Sequence, residues 1–259
     1  MNNPQGKLYL ISIGPGSQKT MTGRALEAIE EAQVVVGYKT YLQLIEELIA
    51  DKQIMGSRMR QELERCTQAC QLAMSGERVA LISSGDVGIY GMAGPAYEVL
   101  LHAGWNPREG IEVEVIPGIT ALSACASLVG APLTHDFCAI SLSDLMTPWS
   151  VIEKRLEAAA QADFVTALYN PKSGKRVQHI LEAQRIFLSH RSPETPVAVV
   201  NAAFRDKERT LLTNLAQMTT LEIGMQTTLL IGNSQSFIKE GVMVTPRGYT
   251  EKYGLDSIR

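Results

Sequence analysis

Nine consecutive residues, Ser83-Ser84-Gly85-Asp86-Val87-Gly88-Ile89-Tyr90-Gly91, carry the densest chemical signal in this sequence. They include three glycines and two serines, more than a plain turn needs. The run before them, Arg78–Ile82 (RVALI), is apolar and of strand length. A helical pattern begins at Met92, with Ala93, Ala96, Val99 and Leu100 on one stripe. A glycine-rich turn between strand and helix bares backbone N–H and C=O groups at the carboxyl edge of a sheet, where open α/β folds bind small ligands. The glycine spacings of phosphate-binding loops are missing, and the charge of Asp86 would repel a phosphate. The expected ligand is small and polar, and either carries no phosphate or is cationic.

The elements that must hold this loop read as a βα alternation. Lys7–Ile13, Gln33–Val36, Gln53–Met55, Arg78–Ile82 and Glu112–Ile116 read as strands, those at Gln33–Val36 and Arg78–Ile82 with the composition of buried ones. Helices are expected from Thr20, as cap, through Gln33, then over Thr40–Ala50, Met59–Ser75 and Met92–Ala103. Such an alternation implies a parallel, doubly wound five-stranded sheet. Its strands run into Gly14-Pro15-Gly16, Gly37-Tyr38-Lys39, Gly56-Ser57-Arg58 and the central loop, all on one edge. Pro117-Gly118-Ile119-Thr120 breaks the pattern. The helix after it, Ala121–Val129, is rich in small residues and uncharged, as helices buried between layers are, so the join between halves is placed there. Phe137–Leu142, Asp163–Tyr169, Pro196–Val200, Arg209–Thr213 and Thr227–Ile231 read as strands of a mixed sheet in the second half. Two α/β domains are expected, 1–117 and 118–259.

Composition narrows the class. At 259 residues, 45% hydrophobic and 20% charged, the chain has the make-up of a globular protein. Its net charge of −3 gives no basic field for nucleic acid. Neither a leader-like start nor a run of apolar residues long enough to span a bilayer is seen, so a cytoplasmic protein with no membrane partner is expected. Cys66, Cys70, Cys125 and Cys138 form no CxxC pair, and buried free thiols without a bound metal are expected.

These landmarks, in this order, resemble the tetrapyrrole methylase family of S-adenosylmethionine-dependent enzymes. The matching pieces are Gly14-Pro15-Gly16 with Met21-Thr22, the Gly85-Asp86 loop, Pro117-Gly118-Ile119-Thr120-Ala121 and Gly130-Ala131-Pro132-Leu133-Thr134-His135. The finer pattern is similar to the branch that methylates C-17 of cobalt-factor III or precorrin-3B in corrin biosynthesis. Its marks are Val36–Tyr41 (VGYKTY), Ser83–Gly91, His135-Asp136-Phe137, Ser141–Trp149 (SLSDLMTPW), Tyr169-Asn170-Pro171 and Thr245–Tyr249 (TPRGY). Many members have an aspartate after the first glycine turn and a proline after the loop aspartate. This chain has Ser17-Gln18 and Val87 instead.

The resemblance implies two α/β domains with S-adenosylmethionine folded in the cleft between them, a tetrapyrrole substrate and a homodimer. It places the cofactor contacts on Pro15, Ser84, Gly85, Asp86, Ile89, Thr120 and Ala121, with Tyr169, Asn170, Ala202 and Thr228 from the second half. The implied reaction methylates C-17 as the macrocycle contracts with extrusion of C-20, leaving S-adenosylhomocysteine. Contraction moves protons, so an acid or base is expected near the substrate. Tyr38, His135 and Asp144 are the candidates. Lys39, Ser57, Arg58, Asp136 and Ser143 are candidates for holding the substrate, and Arg60, Lys172, Lys175 and Arg176 are further cations able to meet its carboxylates. Two other readings stay open: a same-fold methyltransferase for another tetrapyrrole or ribosomal RNA, and, from a different class, a tetrapyrrole- or cofactor-binding module without turnover.

Overall fold

The computed structural model describes residues 6–174 and 176–254. The chain clusters into two compact units, Met1–Ala121 and Leu122–Arg259.

In the first unit, β1 (Lys7–Ser12), β2 (Val34–Tyr38), β3 (Gln53–Ser57), β4 (Arg78–Ser83) and β5 (Glu112–Ile116) form one sheet in the order β3-β2-β4-β1-β5. Every pairing in it is parallel. The helices α1 (Gly23–Glu31), α2 (Lys39–Gln43), α3 (Glu62–Met74) and α4 (Ala93–His102) connect the strands. Successive strand residues face opposite ways, so β1 sends Leu8 and Leu10 to a core with Cys66, Ala69 and Ala96 of α3 and α4. It sends Tyr9 and Ile11 to a second core with Ala25, Ala28 and Leu42 of α1 and α2. Both faces of the central strands β1, β2 and β4 are dry, as their near-continuous apolar runs require. Each fully buried Leu or Ile contributes about 1.5–3 kcal/mol over its exposed state.

Several boundaries differ from the expectation for local reasons. Thr22, not Thr20, caps α1, its hydroxyl accepting from Ala25 N–H at 3.2 Å. Thr20 closes a 3-10 turn, Gln18–Thr20, that Ser17 caps. The helix expected over Thr40–Ala50 breaks into α2 and a 3-10 turn at Glu46–Leu48. α3 starts at Glu62, because Arg58 and Arg60 donate their backbone N–H groups to Gln61 and Glu62 side chains, and Arg60 takes a left-handed φ of 69°.

The second unit contains α5 (Ala121–Val129) from Leu122 onward, then β6 (Gly130–Ala131), β7 (Phe137–Ser141), α6 (Trp149–Gln161), β8 (Val165–Tyr169), α7 (His179–Leu188), β9 (Pro196–Asn201), β10 (Arg209–Asn214), β11 (Thr227–Ile231), β12 (Phe237–Lys239), β13 (Val242–Val244) and α8 (Tyr249–Tyr253). Its main sheet runs β10-β9-β11-β8-β7 and is mixed. β7 and β8 are parallel, while β11 is antiparallel to both β8 and β9. Leu156, Ile180 and Phe187 of α6 and α7 cover one face. The small residues of α5, Ala124, Cys125 and Ala126, let it lie close to Ala167, Ala198 and Leu230 on the other.

A three-stranded sheet, β12-β13-β6, was not foreseen. Gly130 makes it possible: a Cβ there would meet Val242 Cγ1 at 2.5 Å and Met243 O at 2.6 Å, where β6 pairs with β13. It brings two distant motifs into contact. Thr245 N–H donates to Ala131 O at 3.1 Å, and the Thr134 hydroxyl donates to Thr245 O.

All four cysteines are free. Burial pushes the Cys66 and Cys125 thiols up to about 12 and Cys70 to about 11. Among the described residues, no helix is long and apolar enough to cross a membrane.

Candidate functional site

Topology selects the place. From β1 the chain moves past β4 to β2, whereas from β4 it moves past β1 to β5. The two connections leave in opposite directions, so a crevice opens at the carboxyl ends of β1 and β4. Gly14 follows β1 there and Gly85 follows β4, both with a left-handed φ of 69°. They exchange backbone hydrogen bonds, Gly14 N–H to Gly85 O at 3.2 Å and Gly85 N–H to Gly14 O at 2.7 Å. The left-handed turn is inexpensive only for glycine.

Asp86 fixes the rest of the loop. One carboxylate oxygen accepts from Gly88 N–H at 2.8 Å and the other from Gly118 N–H at 2.9 Å. Ser12, fully buried, accepts from Val87 N–H at 2.8 Å. A Cβ on Gly118 would lie 2.4 Å from Ser12 Cβ and 2.8 Å from Gly85 O, so this close approach needs glycine. Thr120 and Ala121 are thereby brought beside Gly85, with Thr120 Cα and Ala121 N within 3.9 Å of where a Gly85 Cβ would be. Ser84 donates toward Gly14 O at 3.5 Å. Ile89 and Tyr90 are exposed beyond the bridge, Tyr90 at a φ of 53°. The sequence candidates Ser84, Gly85, Asp86, Thr120 and Ala121 are thus one constellation, with Pro15 directly after Gly14 and Ile89 at its rim. Asp86 spends its charge on two amides, a role the sequence reading did not give it.

Tyr38 and Ser57 end β2 and β3 and pair in register on the same edge. Tyr38 packs edge-on against Tyr41, with centroids 5.1 Å apart. Lys39 is exposed and lies over Gly56, whose added Cβ would sit 3.1 Å from Lys39 Cγ. Arg58 is exposed in the following turn.

In the second unit, the carboxyl ends of β7, β8 and β9 share an edge with the start of β11. Asn170 and Ala202 follow β8 and β9 there with left-handed φ values of 51° and 50°. Non-glycine residues held in that region cost about 1–3 kcal/mol each and gather where function over-determines the backbone. The Tyr169 hydroxyl accepts from Leu122 N–H at 2.8 Å. The buried Thr228 hydrogen-bonds Cys125, and this pulls against the burial that raises that thiol.

Ser141, Ser143 and Asp144 join this edge. Asn170 Nδ2 donates to Ser141 Oγ at 3.0 Å. Arg176 donates to Asn170 O at 2.8 Å and Ser143 Oγ at 3.4 Å, and sits 3.8 Å from Asp144. Arg176 is therefore a clamp between two loops rather than a free cation. Lys175 lies outside the described residues. The sequence reading missed His179, which meets Asp144, Leu142 and Trp149. A lone histidine starting a helix carries no motif of its own.

His135 and Asp136 stand apart from this group. They precede β7, whereas Ser143 and Asp144 follow it, and Asp136 O accepts from Val165 N–H at the start of β8. A five-residue strand spans about 16 Å, so these two sit at the opposite edge of the sheet. His135 Nδ1 accepts from Asp136 N–H at 2.8 Å, and both side chains are exposed.

An all-parallel α/β unit with a bridged double-glycine crevice, linked in sequence to a mixed-sheet α/β unit, defines the class of two-unit tetrapyrrole methylases. The family model for tetrapyrrole (corrin/porphyrin) methylases matches residues 7–219, and the chain belongs to that family. A cobalt-factor III methyltransferase of Priestia megaterium is 55% identical over 252 residues, 97% of this chain and 47% of that protein. The chain thus spans about half the length of that relative. A probable cobalt-factor III C(17)-methyltransferase of Salmonella typhimurium is 50% identical over 94% of this chain and 99% of its own length. Among solved structures, the methyltransferase CobJ superposes with a TM-score of 0.86 at 34% identity, covering 93% of this chain and 100% of CobJ. A uroporphyrin-III C-methyl transferase from Thermus thermophilus, complexed with S-adenyl homocysteine, gives 0.67 at 26% identity over 88% of this chain and 97% of that one.

Proposed function

We propose that this chain is an S-adenosylmethionine-dependent methyltransferase that methylates C-17 of a corrin-precursor macrocycle, cobalt-factor III or precorrin-3B, with contraction of the ring. The observation that carries the reading is the Gly14–Gly85 bridge, closed over by the Asp86–Gly118 hydrogen bond at 2.9 Å. It leaves a rim of main-chain groups at the switch point of the sheet, in a loop, Ser83–Gly91, that carries an aspartate rather than a lysine or arginine. That donor set suits a zwitterionic sulfonium ligand better than a dinucleotide. The similarity, over nearly the whole chain, to proteins named as C(17)-methyltransferases of cobalt-factor III and precorrin-3B supports the choice of macrocycle.

When bound, the cofactor supplies an already electrophilic methyl group. The chain's residues then have to bind, orient and manage protons, with the acceptor carbon held about 3–3.5 Å from the methyl. In this reading Pro15, Ser84, Gly85, Asp86, Ile89, Thr120 and Ala121 hold the cofactor from the first unit, and Tyr169, Asn170, Ala202 and Thr228 from the second. Lys39, Ser57, Arg58 and Ser143 meet the substrate, the two cations pairing with its carboxylates. Tyr38 and Asp144 are the groups placed to exchange protons. His135 and Asp136, at the far edge of β7, are left out of the assignment. Assembly as a homodimer is part of the proposal and rests on the resemblance alone.

The test is a single-turnover incubation with methyl-labelled S-adenosylmethionine and cobalt-factor III, then with precorrin-3B, followed by product mass spectrometry. A mass gain of one labelled methyl on the macrocycle supports the reading. A protein that binds S-adenosylhomocysteine yet labels neither macrocycle overturns it.

A further inference from the structure

The ring of His179, the first residue of α7, is fixed on three sides. Trp149 stacks on it with centroids 4.1 Å apart and planes 13° from parallel. Nδ1 lies 3.0 Å from Leu142 O, and Nε2 lies 3.6 Å from Asp144 Oδ2. The histidine side chain is 15% exposed and that of Asp144 46%.

This geometry decides where hydrogens sit. A carbonyl oxygen only accepts, so Nδ1 carries a hydrogen and donates it to Leu142. Nε2 is then the nitrogen facing Asp144. A neutral ring would turn an Nε2 lone pair toward an ionised carboxylate, lone pair against lone pair. A proton on Nε2 removes the repulsion and sets an N–H group facing the carboxylate. The Arg176 guanidinium, 3.8 Å from the other Asp144 oxygen, is the second charge on this carboxylate, and its bonds to Asn170 O and Ser143 Oγ hold the loop in place.

Anchoring the loop accounts for the Leu142 hydrogen bond but not for the second nitrogen turned to a half-exposed carboxylate. Substrate binding does not account for it either, since a macrocycle bearing several carboxylates would be repelled by another bare one. A carboxylate supplied with its own proton has a chemical use at such a position.

We propose that Asp144 and His179 form a one-proton couple, in which Asp144 exchanges a proton with the macrocycle and His179 is the positioning residue that orients it and holds that proton. In the donating direction the proton leaves an Asp144 oxygen, the electron pair of the O–H bond stays on the carboxylate, and His179 is left neutral. In the accepting direction the pair starts without that proton; a bond to hydrogen on the macrocycle breaks, its electron pair stays on the macrocycle, and the Asp144 carboxylate takes the proton, which His179 then holds. No further reactant is needed. The inference rests on the proposed methyltransferase reading.

Two substitutions separate positioning from packing. His179→Asn keeps an N–H where Nδ1 is, able to reach Leu142 O, and removes the group facing Asp144. His179→Gln keeps a polar group facing Asp144 but none that exchanges a proton. Each, like Asp144→Asn, is expected to lower kcat by about a hundredfold while KM and S-adenosylhomocysteine affinity stay within about twofold. The double variant D144N/H179N is expected to lose no more than either single one, as groups acting together do. Retained kcat in H179N, losses that multiply in the double variant, or a loss confined to KM would each overturn the proposal. Nitrogen-15 NMR of the resting protein gives an independent reading. The expected signature is an Nδ1–H hydrogen and an Nε2 resonance that moves in D144N; an Nε2–H neutral ring indifferent to D144N overturns it. That spectrum decides the couple even if H179N fails to fold, or if the wild-type protein methylates neither macrocycle and the proposed function itself falls.

Discussion

The Asp86 carboxylate and the Gly118 amide meet at 2.9 Å, joining the loop after β4 to the turn after β5. The two strands are not neighbours, since β1 lies between them. A single side chain thus sets the shape of the loop and the position of Thr120 and Ala121. An isosteric Asp86→Asn variant keeps one acceptor and turns an NH2 group against the other amide. Losing a charge-assisted bond while leaving an amide unpaired costs about 1–3 kcal/mol. The expected outcome is a lower melting temperature and at least about tenfold weaker S-adenosylhomocysteine binding, because the rim is no longer preorganised. Calorimetric titration with thermal denaturation checks both; unchanged affinity would show that Asp86 is a loop staple alone.

Gly118→Ala probes the same junction from the other side. The added methyl group would meet Ser12 Cβ at 2.4 Å and Gly85 O at 2.8 Å. Ser12 ends β1 and Gly85 is held by its bridge to Gly14, so the turn must move. Overpacking of this kind costs about 1–3 kcal/mol. The expected signature is a loss of S-adenosylhomocysteine affinity larger than the loss of stability alone would give, measured by titration well below the melting temperature.

Much of this arrangement was legible in the sequence, and the exceptions have physical causes. The three central strands of the first unit, β1, β2 and β4, were readable because strands buried on both faces are apolar almost throughout, and Arg78–Ile82 followed by a glycine loop admits few alternatives. The buried helix α5 announced itself by small uncharged residues. The β6-β12-β13 sheet was hidden because strands of two or three residues show no periodicity. The cap at Thr22 was hidden because Thr20 satisfies the same pattern two positions earlier. The sequence neighbours His135 and Asp144 were grouped as candidates, yet a strand runs between them and carries them to opposite edges. Conversely, Asp144 and His179 are distant in the chain and meet because β7 and the segment after β8 end side by side.

That separation makes a direct comparison between two histidines possible. His135→Asn is expected to leave methyl transfer within about twofold of wild type, since a solvated side chain away from the cluster has little to lose. Tyr38→Phe, at the ligand edge of the first sheet, is expected to lower kcat by at least about tenfold if its hydroxyl moves a proton, with S-adenosylhomocysteine affinity unchanged. A large loss in H135N would show that its edge of β7 takes part in the reaction. An unchanged kcat in Y38F would make that residue a wall of the substrate site.

Arg191 predicts stability without reference to function. Its guanidinium is buried and donates to the carbonyls of Gly232, Ala159 and Phe164, with Asp163 3.7 Å away. It stacks over Phe187 at 4.8 Å. Burial works against its charge and holds its pKa below the usual value, with Asp163 opposing that shift. Removing the side chain would take a donor from three carbonyls at once, although Ala159 O keeps Phe164 N–H and Phe164 O keeps the Thr166 hydroxyl, so Arg191→Ala is expected to cost about 1–3 kcal/mol. Lysine cannot reproduce the planar fork and should recover only part of it. Urea denaturation measures both; a midpoint for R191A near wild type would mean that water replaces the guanidinium.

The acid limb of stability should trace mainly to Glu114. Glu114, on edge strand β5, receives Arg24 Nε at 2.6 Å and Nη2 at 2.8 Å, with Lys7 Nζ at 2.8 Å. The Arg24 hydrogen bonds are the main cause that holds its pKa down at about 2, from an ordinary value of 4.5, with Lys7 adding to them against burial. A carboxylate depressed by folding binds fewer protons in the native than in the unfolded state. Its stabilisation is therefore present above about pH 4.5 and lost as pH falls toward 2. Glu31, lowered by Arg24 and then by Tyr9, acts in the same direction. Glu114→Gln should lower stability at neutral pH and flatten its decline through that acid window, because the group that must take up a proton is gone. Melting temperatures of both proteins from neutral pH to about pH 2 give the comparison, and parallel declines would place the acid limb on other carboxylates.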